Sequence, residues 1–228
     1  MLNSNLFWYN LPQTRAVLQL ISTLLTKNYR MTEKKYYPIF LNLKGTKCVI
    51  VGGGRVAERK CSAIMRTGAM ITVISPKITG RITQYKEKGL IRHLRRNYRS
   101  GDIKSAFIVI AATGSLETNK RIAEDAISLN KLLNVVDTPS LCNFIVPSVF
   151  NRGMLTIAIS TGGASPALAK VIRKELQRLY GPEYSGYLKL LKIARSKVMK
   201  GINSRKEREK VLKGIVSAIR KGNVIKLK

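Results

Sequence analysis

The sequence predicts an α/β protein built on a doubly wound parallel sheet, because short apolar strands alternate with amphipathic helices from Lys47 onward. The stretch VIVGGGRVAERKC joins an apolar strand directly to a helix through three glycines. A later run, AFIVIAAT, is apolar at almost every position, which is typical of a strand covered on both faces. Together these observations predict right-handed strand–helix–strand crossovers around one buried sheet.

The first predicted strand, KCVIVG, covers residues 47–52, and the helix after it ends at Gly68. The apolar face of this helix follows the spacing i, i+4, i+7 and i+8, occupied by Ala57, Cys61, Ile64 and Met65. Four more strands are predicted at residues 70–75, 90–94, 106–113 and 132–137. The strand pattern at residues 90–94 is weaker than the others. A helix over residues 116–129 separates the last two strands.

The pattern changes after Asp137, where the stretch TPSLCNFIVPSVFNRG is rich in turn-forming residues. A strand over residues 154–160 follows, and then a helix that begins at Pro166 with Ser165 as its N-cap. The apolar face of that helix consists of Leu168, Val171, Ile172, Leu176 and Leu179. Gly181-Pro182 ends it, and two basic helices, broken near residues 201–204, come next.

These patterns divide the chain into four parts. A new segment opens at Met31, so residues 1–30 are expected to be an extension or a product of start-codon choice. The predicted nucleotide-binding domain covers residues 31–143, a small α/β segment covers 144–181, and a basic helical domain covers 182–228.

Charge is the most unusual property of the composition. The chain has 42 Lys and Arg against 12 Asp and Glu, which gives a formal charge of +30 at pH 7. Such a surplus favours polyanionic partners: nucleic acid, an anionic membrane, or a small ligand with many carboxylates or phosphates. The longest apolar run, AVLQLISTLL, is shorter than the roughly 18 residues that a membrane span needs, so no membrane anchor is expected.

The cysteine and histidine content limits the chemistry of the protein. Cys48, Cys61 and Cys142 lie far apart without a CxxC pair, and His93 is the single histidine. This set argues against a disulfide framework and against a structural zinc site, and it favours reduced thiols in a cytoplasmic protein. No metal site is predicted, and His93 is interpreted as a partly exposed residue of the weak strand.

Gly52, Gly54 and Ala57 fill the pattern G-x-G-x-x-A at the junction of the first strand and helix. The first glycine permits a tight turn, the second lets a pyrophosphate approach the backbone, and the small third residue lets helix and strand pack closely. Arg55 and Val56 begin the helix, whose free N–H groups favour phosphates. We therefore predict a Rossmann-like dinucleotide-binding site. A glycine-rich turn without a ligand is the alternative.

The choice between NAD and NADP is open from spacing alone. About 20 residues after the glycines, an Asp or Glu usually bonds the adenine ribose. Here the second strand ends instead in Ser75-Pro76-Lys77. Ser75 can bond a ribose hydroxyl, whereas Lys77 can meet a 2′-phosphate.

Five motifs occur in the order and spacing of one family: YPIFLNLKGTKCVIVGGGRVAERK, AAT before a helix, NVVD, FIVPS and ISTGGASPALAKVIRKEL. From about residue 37 to 180 the chain resembles the precorrin-2 dehydrogenases, which include the amino-terminal module of siroheme synthase and the bifunctional dehydrogenase–ferrochelatases. The resemblance implies NAD-dependent oxidation of precorrin-2 to sirohydrochlorin in siroheme biosynthesis. It also implies a homodimer that exchanges the segment 144–181, and a helical carboxy-terminal domain. Insertion of iron or cobalt is left open.

The resemblance assigns the chemistry to Asp137, at the end of NVVD. This carboxylate would accept a proton as hydride leaves the substrate, or orient a ring nitrogen. The predicted topology also favours a functional position, since open α/β sheets bind ligands at the carboxyl ends of their strands. An aspartate that merely begins the turn TPS is the alternative.

The resemblance implies two further groups of site residues. Thr113 and Asn119 match positions that touch the nucleotide, although Gly114-Ser115 replaces the acidic residues that many relatives carry there. Residues expected around the tetrapyrrole are Asn143, Phe144, Ser148, Ser160, Thr161, Gly162 and Gly163. Phe144 is equally compatible with a core position.

Two functions of other classes compete with this one. The basic stretches KEKGLIRHLRRNYR and SRKEREKVLK exceed what one small ligand needs, and a solvated face explains much of this charge. A nucleic-acid-binding protein would use the basic tail, but the chain has no zinc-finger spacing and few aromatics among its basic runs. A nucleotide-sensing regulator without turnover would bind the dinucleotide but not a tetrapyrrole.

Overall fold

Five strands form one parallel sheet in the order β3-β2-β1-β4-β5 in the computed structural model, which describes residues 35–220. Their bounds are Lys47–Val51 for β1, Met70–Ile74 for β2, Ile91–Leu94 for β3, Ile108–Ala111 for β4 and Leu132–Val135 for β5. Each lies inside a predicted strand, so this part of the prediction is confirmed. The extension expected at residues 1–30 lies outside the described residues, and the proposed domain limits stay predictions.

Helices cover both faces of the sheet. Helices α1 (Arg55–Met65) and α2 (Gly80–Glu87) pack on one face, and α3 (Leu116–Ser128) packs on the other. Neighbouring residues of β1 alternate between the two faces: Ile50 packs with the first group and Val49 with the second. This is the doubly wound arrangement that the sequence predicts.

Helix α2 was not predicted, because it lacks a periodic apolar stripe. Ile82 is its one buried residue, in a segment of eight that is otherwise polar or half-exposed. The helix begins where the Thr79 side chain accepts a hydrogen bond from the Ile82 N–H at 3.4 Å. Its position therefore follows from an N-cap and one core contact rather than from amphipathic spacing.

A two-stranded antiparallel sheet follows the parallel one. Strand β6 (Ser148–Arg152) pairs with β7 (Leu155–Ile159), and Phe150 at the centre of β6 is buried. Strand β7 was predicted, whereas β6 was interpreted as part of a turn-rich stretch because of its neighbouring proline. The short run SVFNR acquires strand structure through pairing with β7, which sequence periodicity does not reveal.

Helix α4 (Pro166–Leu179) packs against this small sheet and begins as predicted. The Ser165 side chain accepts a hydrogen bond from the Leu168 N–H at 3.1 Å. The predicted apolar face is present, but within this chain it is largely uncovered: Leu168, Val171 and Leu179 are 50%, 50% and 68% exposed.

Two basic helices follow, α5 (Tyr184–Gly201) and α6 (Arg205–Arg220), and the break between them lies where it was predicted. Across residues 35–220, no helix is long and apolar enough to cross a membrane. Cys48, Cys61 and Cys142 are all buried, and none of the three is in a disulfide bond within the described residues.

The outer edge of β5 is covered by the chain that returns along it. The Asn143 side chain accepts the Leu133 N–H at 2.7 Å, and the Asn143 N–H donates to the Leu133 carbonyl at 3.1 Å. Two residues further along β5, the Cys142 sulfur lies 3.1 Å from the Val135 nitrogen, whose N–H it accepts. The residues between β5 and this returning segment form the loop that carries Asp137.

Candidate dinucleotide-binding and catalytic site

A cleft of about 840 Å³ opens at the carboxyl ends of β1, β2 and β4. The glycine loop forms its floor, the end of β2 and start of α2 form one wall, and the start of α3 forms the other. Its polar and charged lining includes Ser75, Lys77, Thr79, Asn97, Tyr98, Thr113, Ser115, Glu117, Thr118 and Arg121. This is the edge at which open α/β sheets bind their ligands.

The packing of the fold requires glycine at positions 52 and 53, whether or not a ligand is bound. Gly52 has a φ of +117°, and a Cβ there would strike the backbone carbonyl of Ala112, the residue just after β4. A Cβ on Gly53 would strike the Lys77 carbonyl and come within 2.8 Å of the Ser75 hydroxyl. Both glycines therefore let neighbouring backbone segments pack directly on the loop.

Gly54 differs, because nothing in the fold requires a glycine there. Its backbone is extended, with φ −82° and ψ −173°, and a Cβ would meet no atom within 4 Å. Gly54 is the N-cap of α1 and provides no side-chain hydrogen bond, so the first N–H groups of the helix have no side-chain cap. An open backbone beside free N–H groups is what a pyrophosphate needs, so the loop fits a dinucleotide.

The three predicted residues at the start of α1 do not line the cleft. Ala57 is fully buried against the sheet, which fulfils the packing role expected of the third small residue in the motif. Val56 is half-buried and Arg55 is exposed. A ligand at the helix terminus would therefore contact the backbone N–H groups of these three residues rather than their side chains.

Ser75, predicted as a ribose contact, is buried at the end of β2. Its hydroxyl donates to the Lys77 carbonyl at 2.7 Å, and its own carbonyl lies 2.9 Å from His93 Nε2. The Ser75 oxygen keeps lone pairs for a ribose hydroxyl, but its proton is used within the loop. Lys77 is exposed at the same wall, and Glu117, on α3, is the acidic residue among the described lining residues.

Thr113 and Asn119, the other predicted nucleotide contacts, are bonded to each other. The Thr113 hydroxyl donates to Asn119 Oδ1 at 2.7 Å, and Asn119 Nδ2 donates to the Thr113 carbonyl at 3.2 Å. Thr113 lines the cleft, whereas Asn119 is buried behind it. Asn119 therefore acts on the cleft through Thr113.

Asp137 lies just beyond the carboxyl end of β5, where it is exposed. Its φ of +58° is in the left-handed region, which aspartate tolerates better than most residues. A short 3₁₀ helix, Pro139–Leu141, follows it, and the Cys142 thiol lies 3.4 Å from the Thr138 carbonyl. An uncommon backbone conformation held by its surroundings at a sheet edge supports a functional hypothesis for Asp137.

The predicted substrate residues after Asp137 follow the edge of β5. Asn143 has both ends of its amide bonded to backbone, at Leu133 and at Lys131, each at 2.7 Å. These partners lie at the amino end of β5, so Asn143 stabilises the sheet edge, and its contact with substrate stays a prediction. Phe144 is half-buried on the α1 face of the sheet, and Ser148 begins β6.

The predicted loop 160–163 lies between β7 and α4. Gly162 and Gly163 have φ of +64° and +94°. The Ser160 hydroxyl accepts the Gly162 N–H at 3.1 Å, and the Thr161 hydroxyl accepts the Ser165 N–H at 3.0 Å. Both hydroxyls keep their own protons for donation to a carboxylate. Within residues 35–220, no hydrogen bond joins this loop to the nucleotide cleft.

Several lining residues had no signal in the sequence. Asn97 and Tyr98 follow the edge strand β3, and Arg121 lies on the second turn of α3, bonded to Ser100 at 3.3 Å. Tyr98 is fixed by a hydrogen bond to Asp125 at 2.6 Å. These residues meet only because two crossovers converge on one end of the sheet, and no motif spacing encodes that meeting.

Two family models match the chain. An NAD(P)-binding model covers residues 39–148, and a model of the central part of sirohaem biosynthesis proteins covers residues 152–179. The siroheme synthase of Nitrosococcus oceani is 36% identical over 187 residues, and that of Methylobacillus flagellatus is 40% identical over 147 residues. These matches cover 80% and 64% of this chain, but only 40% and 32% of the two synthases. The chain thus spans less than half the length of these relatives.

The match to one solved structure covers a larger share of the relative's own length than the matches to the two synthases do. SirC, described as a precorrin-2 dehydrogenase, has a TM-score of 0.70 and 32% sequence identity. The match covers 79% of this chain and 89% of SirC.

The parallel sheet, the glycine loop and the NAD(P)-binding match define a nicotinamide dinucleotide-binding protein of the Rossmann class. Within that class, two findings identify the family: the 32% sequence identity to SirC over 89% of its length, and the match of residues 152–179 to the sirohaem central model. The chain belongs to the precorrin-2 dehydrogenase family. The resemblance indicated by the five sequence motifs is confirmed.

Proposed function

We propose that this protein oxidises precorrin-2 to sirohydrochlorin, with NAD⁺ as the hydride acceptor. The observation that carries the proposal is that Asp137 and the glycine loop lie at the same edge of the parallel sheet, at the carboxyl ends of β5 and β1. A carboxylate and a dinucleotide site at one sheet edge suit removal of a proton and a hydride from one substrate.

Asp137 is the proposed catalytic residue. In the reaction the substrate loses one hydride and one proton, and the Asp137 carboxylate accepts the proton. The bound dinucleotide supplies the hydride acceptor. Exposure of Asp137 leaves its oxygens accessible to a substrate hydrogen, and its left-handed backbone sets the direction of the short side chain.

The loop 160–163 is the proposed contact for the carboxylate groups on the rim of the tetrapyrrole. Ser160 and Thr161 have hydroxyl protons free to donate, and the loop leads into the amino terminus of α4. Both features favour an anion. Phe144, Ser148, Gly162 and Gly163 complete the proposed substrate group, with Asn143 supporting the edge of β5.

NAD⁺ is proposed as the preferred form of the cofactor on the family resemblance. The described end of β2 offers Ser75 and Lys77 rather than an acidic side chain, so the wall of the cleft does not repel a 2′-phosphate. The preference is therefore expected to be modest. Gly52, Gly54 and the N–H groups of Arg55 to Ala57 bind the pyrophosphate, and Thr113 contacts the nucleotide with support from Asn119.

The working form is proposed to be a homodimer in a reducing, cytoplasmic compartment. The half-exposed apolar face of α4 gives a second copy a surface to cover, and the three buried thiols are free. The small sheet of β6 and β7 belongs to the same exposed layer and is the segment expected to be exchanged.

The direct test is an assay of the purified full-length protein with precorrin-2 and either NAD⁺ or NADP⁺. Absorbance would follow NADH and sirohydrochlorin together, and the two products are expected in equal amounts. Absence of turnover with both dinucleotides would overturn the proposal. Dinucleotide binding without turnover or tetrapyrrole affinity would favour the regulatory alternative, whereas salt-sensitive RNA or DNA binding would favour the nucleic-acid alternative.

A further inference from the structure

Lys60 extends from α1 toward the strand that ends at Asp137. Its Nζ lies 3.4 Å from Oδ1 of Asn134, in the middle of β5. The Lys60 side chain is half-buried, although lysine is among the residues most often left in water. Among residues 35–220, no carboxylate lies within ion-pair distance of Lys60, so its amino group is held by an amide rather than by a salt bridge.

Asn134 connects Lys60 to the segment that follows Asp137. It is 8% exposed, and its Nδ2 donates to the Phe144 carbonyl at 3.2 Å and faces the Cys142 sulfur at 3.7 Å. Cys142 is in turn 3.2 Å from the Val135 carbonyl and 3.4 Å from that of Thr138. Residues on both sides of Asp137 are therefore tied to the amide that Lys60 contacts.

Charge links Lys60 to Asp137 as well. Burial, and then the neighbouring charge of Arg59, lower the pKa of Lys60, while Cys142 and Asp137 act in the opposite direction. Arg59 lies on the same helix as Lys60, and Asp137 and Cys142 both lie in the chain after β5. Lys60 therefore lies within electrostatic range of Asp137 without pairing directly with it.

We propose that Lys60 is a positioning residue for Asp137: it holds the Asn134 side chain and, through that amide, the segment 138–144 that follows Asp137. The inference rests on the proposed function for its catalytic consequence, but its structural part does not. The helix that carries Lys60 begins at the glycine loop, so α1 would contribute to the proposed dinucleotide site and, through Asn134, to the position of Asp137.

The catalytic test compares Lys60→Met with Lys60→Arg, using Lys120→Met on α3 as the surface control. Lys60→Met is expected to lower kcat about tenfold or more, because Asp137 loses its support and the nearby charge, while the KM for NAD⁺ stays unchanged. Lys60→Arg, which retains a cation, is expected to recover most of kcat. Full activity in Lys60→Met, or a loss that Lys60→Arg does not recover, would overturn the proposal.

A second measurement is independent of turnover. Lysine side-chain NMR of the apo protein would follow the titration of Lys60, identified by the signal missing from Lys60→Met. Asp137→Asn is expected to move that titration further below the ordinary lysine range, because the mutation removes a negative charge that raises the pKa of Lys60. An unchanged Lys60 titration would overturn the proposed coupling even if the wild type turns over. A shifted titration in a protein without turnover would overturn the proposed function alone.

Discussion

The Thr113 hydroxyl and the Asn119 carboxamide form a closed pair across the junction of β4 and α3, with one hydrogen bond at 2.7 Å and a return bond to the Thr113 backbone at 3.2 Å. The same hydroxyl lies 3.2 Å from the Ser115 nitrogen, whose N–H it accepts. The wall of the cleft therefore depends on a buried amide that does not line it. Family resemblance selected both residues but did not distinguish the lining residue from its support.

Asn119→Ala is expected to destabilise the protein by about 1–3 kcal/mol, because the polar groups of Thr113 lose a buried partner. Binding of NAD⁺ is expected to weaken at the same time, since Thr113 is no longer held in place. Urea denaturation and titration calorimetry measure the two effects. Lys120→Ala, an exposed position on the same helix, is the control, and unchanged stability in Asn119→Ala would contradict this account.

Gly54→Ala and Gly52→Ala are expected to separate ligand binding from folding. The extended backbone and open space at Gly54 accept a methyl group, so stability stays within about 1 kcal/mol of wild type. Affinity for NAD⁺ is expected to fall tenfold or more, or about 1.4 kcal/mol, because the methyl group occupies the approach of the pyrophosphate. Gly52→Ala is expected to unfold the protein, since both its φ and the Ala112 carbonyl forbid a side chain. Titration calorimetry of NAD⁺ with the folded Gly54→Ala variant measures this loss. An affinity equal to that of the wild type would refute a phosphate site at Gly54.

Three substitutions at Asp137 are expected to separate its carboxylate from its backbone conformation. Asn, Gly and Ala should each lower kcat by about a hundredfold or more, because none can accept the proton. Only Ala should also lose stability, by about 1 kcal/mol, since Asn and Gly tolerate a left-handed φ better. Steady-state kinetics and thermal unfolding provide the measurements. Retention of most activity in Asp137→Asn would remove the residue from its catalytic role.

Lys77→Glu is expected to increase the preference for NAD⁺ over NADP⁺. The substitution places a carboxylate at the end of β2, where it can bond a ribose hydroxyl and repel a 2′-phosphate. The ratio of the two dissociation constants should change tenfold or more, about 1.4 kcal/mol, by titration calorimetry. Lys88→Glu makes the same charge change at an exposed position outside the cleft lining and should leave the ratio as it is. An equal response in both variants would point to net charge alone.

Stability is expected to fall as pH rises from about 9 to about 11. Burial raises the pKa of Cys48 and of Cys61 from 9.0 to about 11. The unfolded chain therefore releases thiol protons in a range where the folded chain still holds them, and each proton released favours unfolding. Urea denaturation at pH 8 and pH 10.5 measures the loss. A Cys48→Ala/Cys61→Ala variant should show a weaker dependence on pH, and an identical slope would exclude the thiols as the cause.

The parallel sheet could be predicted from the sequence because each strand is a short apolar run bounded by turn residues, and strand burial on both faces leaves that run uninterrupted. Helix α2 and strand β6 could not, since Ile82 alone and Phe150 alone mark their cores. The glycine loop could also be predicted, because the need for glycine there comes from the local backbone conformation. The meeting of Asn97, Tyr98 and Arg121 at the cleft, and the contact between Lys60 and Asn134, depend on long-range crossovers. Local sequence patterns do not encode such crossovers.

Strand β5 is the outermost strand on its side of the sheet, and an outer strand with unpaired backbone groups can recruit another molecule into an aggregate. Cys142 and Asn143 already occupy the backbone groups of Val135 and Leu133 that point away from β4. The segment that holds Asp137 in place therefore also protects the protein from edge-to-edge association. A substitution that detaches this segment is expected to reduce solubility together with the proposed activity, because the same contacts cover the edge of β5 and hold the chain around Asp137.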